Sequence, residues 1–241
     1  MNEVLKQLAQ RKSCRAFLDK PISPEERQQI LEGAVQAPTA GNQQLYTILD
    51  ITDPQLKEAL VHSCDEQPFI ADGKLVLIFC ADCLKWYKAF QAEDCGPRKP
   101  GVGDLLLAVS DALIAAQNAV VAAQSLGIGS CYIGDIMENC ETQRKLLNLP
   151  EYVFPAAMLV FGYPTDQQLR REKPVRAPME TIVQENTYQP HSPEQLRRML
   201  GCKAGQDYRQ WLQAFCKRKY NSDFSREMTR SVAKYLEQFE R

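Results

Sequence analysis

Histidine is nearly missing from this chain: His62 and His191 are the only two among 241 residues. That excludes histidine-rich metal sites and leaves little material for a hydrolytic triad, and the G-x-S-x-G elbow that presents a nucleophilic serine is absent too. There is no Walker phosphate loop. The glycine-rich stretch GIGSCYIG, Gly127 to Gly134, reads G-x-G-x-x-x-x-G after a helix, not the G-x-G-x-x-G that follows a strand in dinucleotide folds. No pair of carboxylates stands out as an acid–base couple. A strong charge of either sign is lacking as well; the net charge of −1 argues against nucleic-acid binding through a basic surface. An apolar leader is lacking at the N-terminus, so the chain is expected in the cytoplasm. If such a chain is an enzyme, a bound cofactor does the chemistry.

Cysteine is plentiful, nine in all, but the spacing shows no disulfide framework, so reduced thiols are expected. Cys80 and Cys83 form a CxxC with no second pair of ligands for zinc. They read either as a redox pair or as a strand end with two small buried side chains. The longest apolar stretch, residues 105–127, has the length of a bilayer span. Ser110, Asp111, Gln117, Asn118, Gln124 and Ser125 interrupt it, which predicts a buried core helix or a subunit interface and no membrane partner.

The helix signals are clear. SPEE at Ser23–Glu26 has the reciprocal pattern of a capping box with proline at the first helical position, HSPEQ repeats it at Ser192, and DPQLKEAL opens another helix at Asp53. Strands are predicted at 45–51, 74–81, 130–134 and 156–163, with KLVLIF and AMLVF as central ones because they are near-continuously apolar. Two opening helices and one very apolar long helix favour an α+β arrangement around a small sheet over a doubly wound parallel one. A polar, proline-punctuated connection follows Pro164, so residues 1–165 read as a core and 166–241 as a C-terminal extension within a single domain.

Three stretches can carry a ligand. RKSCRAF, Arg11 to Phe17, sets Arg11, Ser13 and Arg15 at alternate positions, so an extended chain turns all three to one side. Guanidinium forks and a hydroxyl suit phosphate oxygens; the same residues also make a solvated basic turn. APTAGNQQ, Ala37 to Gln44, offers small residues and amides, and is either a ligand loop or a plain helix-to-strand connection. KPVR, Lys173 to Arg176, places two cations in a stiff connection.

Together these stretches resemble the flavin-dependent nitroreductase family, in particular its larger NADPH-using branch of oxygen-insensitive nitroreductases and flavin reductases. The resemblance rests on RKSCRAF, QAPTAGNQQ, Gln67, LVLIFCAD, AQNAVVAAQSLGIGSCYIG, LLNLPEYVFPAAMLVFGYP and KPVRAP…QENTYQP, in one consistent order over about residues 3–190. It implies a mostly antiparallel sheet flanked by helices, an intertwined homodimer with long helices at the contact, FMN bound at the subunit interface, and a C-terminal segment embracing the partner. By position, Arg11, Lys12, Ser13 and Arg15 would hold the FMN phosphate and ribityl chain. Thr39, Ala40 and Asn42 would approach from the partner, Gln67 would contact the flavin, and Tyr132, Ile133, Gly134 and Asp135 would lie along the ring. Lys173 and Arg176 would close on the phosphate. Two positions depart from the branch: YIGD replaces YIGG, so Asp135 opposes negative charge on the flavin unless it points away, and KPVR replaces KPR.

The resemblance further implies hydride transfer from NADPH or NADH to FMN, then ping-pong reduction of a nitroaromatic, a quinone or a free flavin. The alternatives are another reductive activity on the same fold (dehalogenation or enone reduction), a non-catalytic flavin-binding protein, and a thiol redox sensor built on Cys80 and Cys83.

Overall fold

The computed structural model describes residues 1–201 and 207–240. In chain order the helices and strands are α1 (Glu3–Gln10), α2 (Pro24–Val35), β1 (Tyr46–Asp50), α3 (Pro54–Ser63), α4 (Phe69–Asp72), β2 (Leu75–Asp82), α5 (Leu84–Ala92), α6 (Val102–Ser125), β3 (Gly129–Ile133), α7 (Cys140–Leu147), β4 (Val153–Gly162), α8 (Asp166–Arg170), α9 (Pro193–Gly201), α10 (Tyr208–Lys219) and α11 (Asp223–Leu236). The capping predictions describe real ends. Ser23 Oγ accepts from Glu26 N at 3.2 Å while the Glu26 carboxylate accepts from Ser23 N at 2.8 Å. Ser192 and Gln195 repeat the exchange, and Asp53 caps Gln55 N at 2.9 Å.

The four strands form one sheet in the order β1-β2-β4-β3, every pair antiparallel. The two most apolar segments are therefore the central strands, because only a strand covered on both faces can bury every side chain. Leu75, Leu77, Phe79 and Ala81 of β2 pack with α2 and α6, whereas Val76, Ile78 and Cys80 pack with α3 and α4. Each large side chain taken fully out of water there contributes about 1.5–3 kcal/mol before entropy is set against it. The architecture is thus α+β: a helical layer on each face of a small sheet.

Helix α6 is the one described helix long and apolar enough to cross a bilayer. Its Ala108, Ala112, Ala115, Ala116, Ala119 and Ala123 are buried against the sheet and α2, so the alanine stripe is core packing. Small side chains let the helix lie close; Gly33 of α2 sits so near that a Cβ there would come within 2.9 Å of Ala122 Cβ.

The described chain divides into two compact units, residues 1–171 with 227–240, and residues 172–226. In the first, Tyr235 and Phe239 are buried, and Arg230 grips the Glu141 carboxylate of α7 at 2.8 and 3.0 Å. In the second, α9 and α10 have no buried residues, His191 Nε2 lies 2.8 Å from the Thr181 carbonyl, and Arg198 pairs with Glu180.

Candidate functional site

Helix α1 ends at Arg11, whose N–H closes the last turn on Gln7 O at 3.0 Å. The chain then runs extended along the sheet edge. Cys14 N donates to Ser130 O at 2.9 Å, Thr165 N to Ala16 O at 3.1 Å, and Leu18 N to Tyr163 O at 2.8 Å. Two glycines permit this approach: a Cβ on Gly129 would meet Cys14 Cβ at 2.7 Å, and one on Gly162 would meet the Phe17 ring at 2.7 Å. Cys14 is buried, Arg11 and Ser13 are half-buried, and Arg15 and Ala16 are exposed. Burial raises the Cys131 thiol of β3 above its ordinary range, while the nearby Arg15, Ser13 and Arg11 pull it down. Arg11 Nη1 is buried without a hydrogen-bond partner among the described residues. Lys12 is engaged elsewhere, its ammonium donating to Leu169 O at 2.7 Å and to Arg171 O. Buried Gln168 of α8 clamps the segment, accepting from Arg15 N at 3.3 Å and donating to Ser13 O at 3.2 Å. Nothing in the charged stretch around Gln168 marks it out in sequence.

A second group forms where β3 ends. Gln67 Nε2 donates to Cys64 O at 2.8 Å and to Asp135 Oδ2 at 2.9 Å. Gly134 is exposed and opens a short 3-10 turn, Asp135–Met137. Ile133 is buried in the core facing α3 and α4, so only its backbone can meet a ligand. Tyr132 OH donates to Gln117 Oε1 of α6 at 3.3 Å, and burial pushes its phenol up to about 12. Glu138 is buried beside Asp135; desolvation, then the charges of Asp135, Asp65 and Glu227, push its carboxyl up to about 8.

The third group is the loop before β1. Thr39 Oγ1 accepts from Gln44 N at 3.2 Å, while Gly41, Asn42 and Gln44 adopt positive φ of 57°, 56° and 51°. Asp111 of α6, 2% exposed, holds the loop by accepting from Ala40 N at 2.9 Å and Leu45 N at 3.1 Å. In sequence Asp111 reads only as an interruption of an apolar helix; a lone carboxylate in such a helix is the available signal of a buried anchor. Trp86 Nε1 donates to Gln43 O at 2.7 Å, and beside it lies a cavity of about 400 Å³. Gln43, Leu45, Trp86, Tyr87 and Phe90 line it, with the Arg98–Asp104 pair. Sequence reasoning did not anticipate that cavity.

Lys173 and Arg176 belong to the second unit, in the connection before the 3-10 turn Met179–Thr181. Cys80 and Cys83 are free and buried, and desolvation pushes both thiols up to about 12. Their burial at the end of β2 favours the strand-end reading of the CxxC.

The nitroreductase family model matches residues 8–163. The chain is 32% identical to "FMN reductase [NAD(P)H]" of Bacillus subtilis (strain 168), covering 98% of this chain and 92% of that protein. It is 35% identical to "Oxygen-insensitive NADPH nitroreductase" of Salmonella typhimurium, covering 82% and 80%. Among solved structures, NfrA2 of B. megaterium superposes with a TM-score of 0.84 at 30% identity, over 99% of this chain and 98% of that one.

Proposed function

The chain belongs to the nitroreductase family, and from that premise we propose that it is an FMN-dependent NAD(P)H oxidoreductase reducing nitroaromatics, quinones or free flavins in ping-pong order. The observation that carries the reading is the convergence of Arg11, Ser13 and Arg15 beside β3, with a buried Arg11 N–H group lacking any partner among the described residues. An unpartnered buried guanidinium nitrogen costs free energy unless an acceptor meets it, and a phosphate is such an acceptor. The residues present therefore fit FMN.

When bound, FMN would supply the hydride acceptance and donation that no side chain here offers. Arg11, Ser13 and Arg15 would hold its phosphate, and Gln167-to-Arg171 geometry, through Gln168, keeps that segment in place. Gln67 would orient the ring, and the exposed backbone at Gly134 would approach it. Lys173 and Arg176 are proposed to add charge to the phosphate. Thr39, Ala40 and Asn42 are proposed to serve the second subunit's cofactor. The exposed Leu106, Leu107, Leu113 and Ile114 on α6 support a homodimer, since water-facing apolar side chains on one helix favour burial against a second copy. The cavity at Trp86 and Phe90, sharing Gln43 and Leu45 with that loop, suits a flat electron-poor acceptor. All eight described cysteines are free thiols, which supports a reducing compartment.

The test is an absorption spectrum of the purified protein before and after anaerobic NADPH or NADH. A yellow protein bleached by either donor is expected. A colourless protein that takes up no FMN on titration overturns the reading, and a yellow one that neither donor bleaches leaves a flavin-binding protein without this activity.

A further inference from the structure

The Gln67 side chain has one carbonyl and two N–H groups to place. Its Nε2 lies 2.8 Å from Cys64 O and 2.9 Å from Asp135 Oδ2. Both partners accept only, so the orientation of the amide is determined by chemistry: the flipped form would set Oε1 against two oxygens. Both N–H groups are thereby used. The polar atom left over is Oε1, to which no described group donates, on a half-buried side chain at the mouth of β3.

We infer that Asp135 is a positioning residue: its carboxylate locks the Gln67 amide so that the Gln67 carbonyl faces the ligand as a hydrogen-bond acceptor. The inference rests on the FMN reading above. The imide edge of a flavin carries C2=O, N3–H and C4=O, and an acceptor can satisfy only the N3–H. Gln67 therefore reads the imide proton and not the flanking carbonyls.

The surroundings of Asp135 support this division of labour. Its backbone is held in the 3-10 turn, Glu138 N donating to Asp135 O at 3.0 Å. Glu138, 6% exposed, faces it from the same turn, with Asp65 and Glu227 as the other nearby carboxylates. Burial and the charges of Asp135, Asp65 and Glu227 raise the Glu138 carboxyl, so it adds less negative charge beside Asp135 than an ordinary carboxylate would. The carboxylate that would otherwise oppose negative charge on a reduced flavin is spent on orienting Gln67. An alanine or glycine at 135 would leave Cys64 O as the one remaining acceptor on the amide, so the Gln67 carbonyl would be held toward the ligand less firmly.

Binding of FMN labelled with ¹⁵N at N3, followed by NMR, tests the inference, together with dissociation constants for FMN and N3-methyl-FMN from flavin fluorescence. In the wild-type protein the N3–H proton should move downfield and exchange slowly, and N3-methyl-FMN should bind about tenfold more weakly, the size expected for one lost hydrogen bond. Gln67→Ala should abolish both signatures. Asp135→Ala should shift the N3–H signal back toward free FMN and cut the preference to about threefold or less, as should Asp135→Gly if alanine disturbs the turn. Asp135→Asn should restore both signatures in large part, because its Oδ1 still accepts. The inference is overturned if wild-type protein binds FMN with a free-like N3–H signal. It is equally overturned if Asp135→Ala and Asp135→Gly keep the wild-type signal and ratio. A wild-type protein that binds no FMN overturns the functional reading itself.

Discussion

Single residues carry the electrostatic argument. Arg11 and Arg15 lie near Cys131 with Ser13, and of these three Arg11 has a buried nitrogen without a hydrogen-bond partner among the described residues. Replacing both arginines by alanine should weaken FMN retention tenfold or more, about 1.4 kcal/mol, while the circular dichroism of the folded protein is unchanged; equilibrium dialysis against FMN reads the difference. Glu138 makes a second residue-level case. Its carboxyl, ordinarily near 4.5, is pushed up to about 8 by burial and by Asp135, Asp65 and Glu227. A carboxyl raised on folding favours the folded state fully below about 4.5, and that contribution is lost as pH rises through about 8. Glu138→Gln, neutral at every pH, should therefore match the wild-type melting temperature at pH 5 and exceed it at pH 8.5. Parallel melting curves with a constant gap would remove the raised carboxyl.

At the scale of elements, the contacts that matter join segments far apart in the chain. Asp111 on α6 takes two backbone N–H groups, from Ala40 and Leu45, and so decides the shape of the loop that precedes β1. Asp111→Ala should cost about 3 kcal/mol in urea unfolding, because two charge-assisted bonds disappear and two donors lose their acceptor. Asp111→Asn should cost nearly as much, since its NH₂ must face one of those donors. The opposite sheet edge is built by small residues instead. Gly129 and Gly162 admit Cys14 and Phe17, so the basic segment lies flush on β3 and the end of β4.

At the scale of the molecule, α6 has two faces with different tasks. Its alanines pack under the sheet, while Leu106, Leu107, Leu113 and Ile114 stand in water, the first of them 62% exposed. The proposed dimer buries them. Leu106→Glu with Leu113→Glu should give a folded monomer by sedimentation velocity and, because the 39–45 loop is proposed to serve the partner's site, a marked loss of FMN affinity. A double variant that stays dimeric would place the contact elsewhere.

The sequence by itself determined the elements and the family. Helix starts at Ser23, Asp53 and Ser192 follow from local capping, and the central places of β2 and β4 follow from uninterrupted apolar runs, because both signals depend only on neighbours in the chain. The alternation of Arg11, Ser13 and Arg15 was legible for the same reason. Only the tertiary structure decided what those groups meet. It turned Lys12 onto the carbonyls of Leu169 and Arg171, brought Gln168 to the basic segment, set Asp111 under the 39–45 loop, and joined Gln67 to Asp135 across 68 positions of sequence. Side-chain hydrogen bonds between distant segments leave no periodicity to read, since each depends on one donor, one acceptor and the fold that places them 3 Å apart.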